Sequence, residues 1–175
     1  MQHKTLWIFG WLIVVLIMVN YSIVQKEAHL SEGTTVCLSL APVDPRSLMQ
    51  GDYMALRFAL ADTIRTALRK ETTHLDQHHR LRNSEGRALL NLEANCTATY
   101  VDLFTGQMMQ DHQVILRYRV RNGHIKIATN AFFFEEGTAK KYDHARYGIF
   151  KLLHADPLLT DLADANLTPL STKTP

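Results

Sequence analysis

The densest gathering of reactive side chains in these 175 residues is FFFEEGTAKKYDHARYG, where Glu135, Glu136, Lys140, Tyr142, His144, Arg146 and Tyr147 fall within thirteen positions. Carboxylates, a lysine, an imidazole and a guanidinium this close together supply groups for proton transfer and for anion binding. The same residues also have a structural reading. As a short helix entered after Gly137 and closed by Gly148, the segment places Lys140 beside His144 and Asp143 beside Arg146 on a solvated face. Glu136 would then stand near the positive end of the helix dipole. The functional reading is kept open by Arg146 with Glu136, which could form a partly buried ion pair that locks the segment or binds a ligand. The residues singled out for a ligand or partner are Glu136, Gly137, Tyr142, Arg146, Tyr147 and Gly148.

A second dense stretch, PVDPRSLMQGDYMALRF, contains the carboxylates Asp44 and Asp52. Turn chemistry accounts for most of it. Pro42 ends a strand, Asp44-Pro45 initiates a turn, Gly51 permits a positive φ, and Asp52 accepts from nearby backbone N–H groups. His74 and His78 share a helical face and His79 follows. Two nitrogens with only Glu71 and Asp76 nearby make a weak ligand set, so neither a metal nor a cofactor is expected.

GDYMALRF resembles the pattern from which the GDYXXLXY family of membrane-anchored bacterial proteins takes its name. Gly51, Asp52, Tyr53 and Leu56 agree, and Phe58 replaces the closing tyrosine. Pro42, Asp44, Pro45 and Arg46 belong to the same motif block, and FFFEEGTAKKYDHARYG and LLTDLADANLTPL are similar to the family in kind and order. The resemblance implies a bacterial inner-membrane protein and multi-pass membrane proteins as partners, but no reaction. SLMQGDYMAL is also similar to a segment of signal-peptidase-type serine proteases. That alignment puts Val43 at the nucleophile, and valine has no nucleophilic atom, so Ser/Lys chemistry is disfavoured.

The elements that must position these residues follow from patterning. Leu6 to Val24 is nineteen residues without a charge; at about 1.5 Å per residue it reaches close to 30 Å, enough to cross a bilayer. Trp7, Trp11 and Tyr21 lie towards its ends, and no small-residue cleavage site follows, so an uncleaved anchor is expected. Lys4 and the α-amine outweigh Lys26 offset by Glu27, which favours a periplasmic C-terminal domain. The expected organisation is a tail at 1–5, an anchor at 6–24, a linker at 25–33, a β-rich domain at 34–170 and a tail at 171–175.

Within the domain, TVCLSLA alternates, and DYMALRFAL puts Met54, Leu56, Phe58 and Leu60 on one face. RALLNLEAN and TATYVDLF read as strands. QVILRYRVRNGHIKIATNAFFF reads as a hairpin about Asn122-Gly123, which suits a type I′ turn. Ala61, Ile64, Ala67 and Leu68 predict a short helix, and GIFKLLHADPLLTDL predicts two strands around an Asp-Pro turn. Cys37 and Cys96 are free to bridge in an exported domain, or are two small, semi-buried apolar residues that never meet; spacing alone does not choose between the two. The net charge of +2 offers no field for nucleic acid. The expectation is an α+β, β-rich fold, an antiparallel sheet or partly open barrel with one or two short helices after a single transmembrane helix. It would serve as a non-enzymatic accessory or interaction module. The alternative is an enzyme of unknown reaction using Glu135 to Tyr147.

Overall fold

A computed structural model of the chain describes residues 2–41, 49–50, 53–71, 74–77, 80–129 and 131–171. The chain divides after Gly33 into two compact units.

The first unit is helix α1, Gln2–Glu32. It continues beyond Val24 over residues expected to form a linker. Its apolar side chains from Trp11 to Val24 are exposed along its length, the reverse of a water-soluble helix, which buries an apolar stripe. Polar groups inside the run are satisfied locally: Asn20 Nδ2 donates to the Leu16 carbonyl at 2.9 Å and Ser22 Oγ to the Met18 carbonyl at 3.0 Å. Such back-bonding is what a hydrocarbon environment demands of a polar side chain. The helix is long and apolar enough to cross a membrane.

Among the described residues the second unit contains ten strands: β1 Thr34–Ser39, β2 Met49–Gln50, β3 Tyr53–Ala55, β4 Ser84–Leu92, β5 Ala98–Leu103, β6 Gln113–Arg121, β7 His124–Lys126, β8 Ala131–Phe133, β9 Tyr147–Leu153 and β10 Asp156–Ala163. They form three antiparallel sheets in the orders β1-β9-β10, β2-β3-β8 and β5-β4-β6-β7. Isolated bridges from Cys37 to Thr97 and from Leu40 to Phe58 link segments outside the ladders. The fold is therefore the expected β-rich α+β class with antiparallel sheets.

Helix α2, Ala59–Lys70, buries Leu60, Ile64 and Leu68, one residue per turn, against β1, β5 and β7. Leu60 thus belongs to the helix stripe rather than to a strand face, although Met54, Leu56, Phe58 and Leu60 are all buried as expected. Asp62 in the first turn and Arg69 and Lys70 in the last complement the helix dipole. The β6–β7 hairpin turns at Asn122 and Gly123 with φ of +51° and +76°, the geometry that Asn-Gly favours.

One alternative that the sequence leaves open is decided, and two expectations are corrected. Cys37 and Cys96 form a disulfide, with Cα atoms 5.2 Å apart. Cys37 points away from Val36 and Leu38 on the alternating strand, and the β4–β5 turn covers it: Cys37 N donates to the Cys96 carbonyl at 2.7 Å. The helix expected after Gly137 is only a four-residue 3-10 turn, Ala139–Tyr142, and Gly148 lies inside β9 between Leu38 and Leu162. The β9–β10 turn is made by His154 and Ala155, at φ of +50° and +70°. Pro157 stands two residues beyond Ala155, paired with Leu152. Because β10 is an edge strand, a proline without an N–H is tolerated there.

Candidate functional site

An aromatic cleft of about 440 Å³ is lined by Phe132, Phe133, Phe134, Glu135, Thr138, Lys141, Tyr142, Thr160, Leu170 and Ser171. Three separate segments build it. β8 supplies Phe132 and Phe133, and the chain runs on through Phe134 into a turn in which Gly137 adopts a φ of +80°. Thr138 closes that turn, its N–H and hydroxyl both donating to the Glu135 carbonyl, at 3.0 and 2.6 Å. The 3-10 turn then delivers Tyr142, whose ring stacks on Phe134 and meets Phe132 edge-on, with both centroids at 5.2 Å.

The opposite wall comes from β10 and the C-terminal segment. Thr160 sits at a register shift between Leu159 and Asp161; such a bulge re-aims side chains. The carboxylate of Asp161, only 9 % exposed, accepts from the Leu162 N–H at 2.7 Å, the Ser171 N–H at 3.2 Å and the Ser171 hydroxyl at 2.7 Å. A buried carboxylate needs this many donors. Together with the Leu170 N–H to Leu162 carbonyl bond at 2.8 Å, it clamps Leu170 and Ser171 into the cleft.

Burial pushes the Tyr142 phenol above its ordinary pKa, with the charges of Asp161 and Glu135 acting in the same direction. Tyr142 is accordingly a neutral wall residue at physiological pH. In contrast, Phe133 is 74 % exposed. Its ring lies 5.9 Å from that of Tyr53, and Tyr53, Met54 and Ala55 pair with Phe133, Phe132 and Ala131. The tyrosine of GDYMALRF is thus registered directly on the cleft strand.

The structure divides the residues singled out from the sequence. Tyr142 lines the cleft, joined by Glu135 and Lys141 from the same block. Glu136 and Gly137 are exposed on the turn, while Arg146, Tyr147 and Gly148 lead into β9. Among the described residues Arg146 and Glu136 form no ion pair, nor do Asp143 and Arg146, because four residues of 3-10 turn do not give the spacing that a full helix would. The Arg146 backbone instead ties two strands together, its N–H donating to the Ala163 carbonyl and its carbonyl accepting from Leu40, both at 2.8 Å. Tyr147 pairs with Ser39 and Ala163.

Of the motif residues, Leu56 and Phe58 are core, whereas Pro42, Asp44, Pro45, Arg46, Gly51 and Asp52 lie outside the described residues. His74 pairs with Glu71 at 2.9 Å; His78 and His79 also lie outside them. Among the described residues no group of histidines, cysteines and carboxylates is arranged to hold a metal. Thr160, Leu170 and Ser171 carried no signal in the sequence, since only the long-range pairing of β10 brings them to the block around Glu135.

A single apolar N-terminal helix followed by a disulfide-linked, β-rich α+β domain defines the class. The family model described as "GDYXXLXY protein" matches residues 15–161, and the chain belongs to the GDYXXLXY family. Neither the curated proteins nor the solved structures include a match.

Proposed function

We propose that this protein is a single-pass accessory module of a bacterial inner-membrane complex, with its β-rich domain in the periplasm and the aromatic cleft as its docking surface for a multi-pass membrane protein. The observation that carries the reading is Phe133, a large apolar side chain left exposed at the rim of a cleft walled by Phe132, Phe134 and Tyr142. Exposed aromatics beside a pocket are the usual anchors of protein interfaces. The Cys37–Cys96 disulfide supports an oxidising compartment, and the length of α1 supports retention as an anchor.

The test is co-purification of full-length protein from native membranes in mild detergent, comparing Phe133→Ser with the parent. An exposed position tolerates this change within about 0.5 kcal/mol, so loss of a specific partner at unchanged melting temperature is the expected result. A partner retained at the parental level would sink the docking assignment. Reporter fusions at the C-terminus test the topology, with activity expected from an export-dependent reporter. The enzyme reading draws on Glu135 and Lys141 lining the same cleft; it requires a folded Glu135→Gln protein to retain its partner yet fail to complement a deletion strain.

A further inference from the structure

A second groove, also of about 440 Å³ and sharing no residue with the aromatic cleft, is lined by Arg57, Arg65, Arg121, His124, Lys126 and, as the one carboxylate among its described lining residues, Asp62. Its apolar part is Phe58, Ala61, Ile125 and Ile127. The charges do not balance. Arg65 Nη1 lies 3.0 Å from Asp62 and Arg57 Nη2 lies 3.4 Å from the same carboxylate, so one anion serves two guanidinium groups. Arg121 is answered separately by Glu85 at 3.2 Å and holds the Val120 carbonyl at 3.0 Å. Among the described residues Lys126 makes no ion pair.

Among the described residues two positive charges therefore remain uncompensated, one shared between Arg57 and Arg65 and one on Lys126. The groove also receives the N-terminal turn of α2, through Ala61 and Asp62, and that helix has no side-chain cap. Its positive end adds to the field. Further, Arg65 Nε is buried without a hydrogen-bond partner among the described residues, which leaves this guanidinium incompletely satisfied.

We propose that this groove is a binding site for a phosphate ester: a dianionic or headgroup phosphate between Arg57, Arg65 and Lys126, with its organic part along Phe58 and Ile127. Guanidinium pairs recognise phosphate through charge-assisted, bidentate hydrogen bonds. The space exceeds what a bare phosphate needs, which favours an ester over the inorganic ion. A soluble phosphate monoester and the headgroup of a net anionic phospholipid share this chemistry, and the experiment separates them.

Full-length protein is reconstituted in phosphatidylcholine nanodiscs, and its arginines are modified with phenylglyoxal and followed peptide by peptide by mass spectrometry. One arm adds glycerol 3-phosphate; the other replaces about a third of the lipid by phosphatidylglycerol. Chloride at matched ionic strength controls for screening. Modification of Arg57 and Arg65 is expected to slow at least about fivefold in the arm that supplies the ligand, while exposed Arg69 on the same helix keeps its rate, since charge-assisted pairs shield only the groups they engage. Lys126→Gln, an exposed change on β7, is expected to remove most of that protection. Equal rates in both arms and in chloride would overturn the proposal, as would protection that Lys126→Gln leaves intact.

Discussion

Replacing Gly148 by alanine tests the packing under the family motif. Gly148 lies in β9, and a Cβ built there meets Phe58 Cε1 at 2.8 Å, Phe150 Cε2 at 3.1 Å and Leu159 Cδ1 at 3.2 Å. The first distance is one that real Cβ atoms essentially never show, so a ring must move. Phe58 is 3 % exposed and its ring meets Phe150 edge-on at 5.2 Å, with the start of α2 immediately behind it in the chain. An interior at crystal-like density offers no empty side to move into. Inserting one methyl group under such constraint costs about 1–3 kcal/mol. For a domain of this size that lowers the melting temperature by roughly 3–10 °C. The assay is thermal unfolding of the full-length protein in mild detergent, run as a double-mutant cycle with Phe58→Leu. Shortening residue 58 removes the 2.8 Å contact but not the other two, so the pair should recover about 1 kcal/mol relative to additivity. Strict additivity, or a Gly148→Ala protein as stable as the parent, would refute the close-approach argument.

Three further outcomes are expected. Breaking the Cys37–Cys96 bridge by Cys→Ala at both positions frees a loop with a sequence separation of 59 and should lower stability by about 4 kcal/mol in chain-entropy terms; denaturant midpoints measured with and without reductant check it, and a reductant-insensitive parent would contradict the bridge. Ala155→Gly relieves a non-glycine residue at φ +70° and should stabilise the domain by about 1 kcal/mol, read as a rise in melting temperature. The Tyr118 phenol is pushed up to about 12, chiefly by burial, with Tyr100 and then Glu71 adding to the effect. The unfolded chain therefore releases this proton first, so the contribution of Tyr118 is complete below pH 10 and is lost as pH rises towards 12, on the order of 3 kcal/mol in all. Stability measured across that window should fall less steeply in Tyr118→Phe, and an identical slope in the two proteins would count against the assignment.

Some features of the protein were legible because their causes are local. The uncharged run from Leu6 to Val24 dictates an apolar helix wherever it sits, since its backbone must satisfy itself and its side chains have no polar face. Asn122-Gly123 turns the β6–β7 hairpin because both residues tolerate positive φ. The helical spacing of Ile64 and Leu68 placed α2, and the alternation of Met54, Leu56 and Phe58 placed them in the core. Other features were decided by contacts between segments distant along the chain. Nothing near Cys37 indicates Cys96; the pairing exists because the β4–β5 turn folds over the outer face of β1. Gly148 has the local look of a helix stop, but its missing side chain makes room for Phe58, ninety residues earlier. His154 and Ala155 turn the chain instead of Asp156-Pro157 because β9 and β10 pair in a register that leaves those two residues between them. The aromatic cleft is likewise a tertiary object. Glu135 and Tyr142 lie in one block rich in acids and bases, but Thr160, Leu170 and Ser171 reach it only through the ladder of β10 and the buried carboxylate of Asp161. Local propensity sets which element forms, whereas a site assembled across sheets depends on register and packing, and those are settled only when the whole core closes.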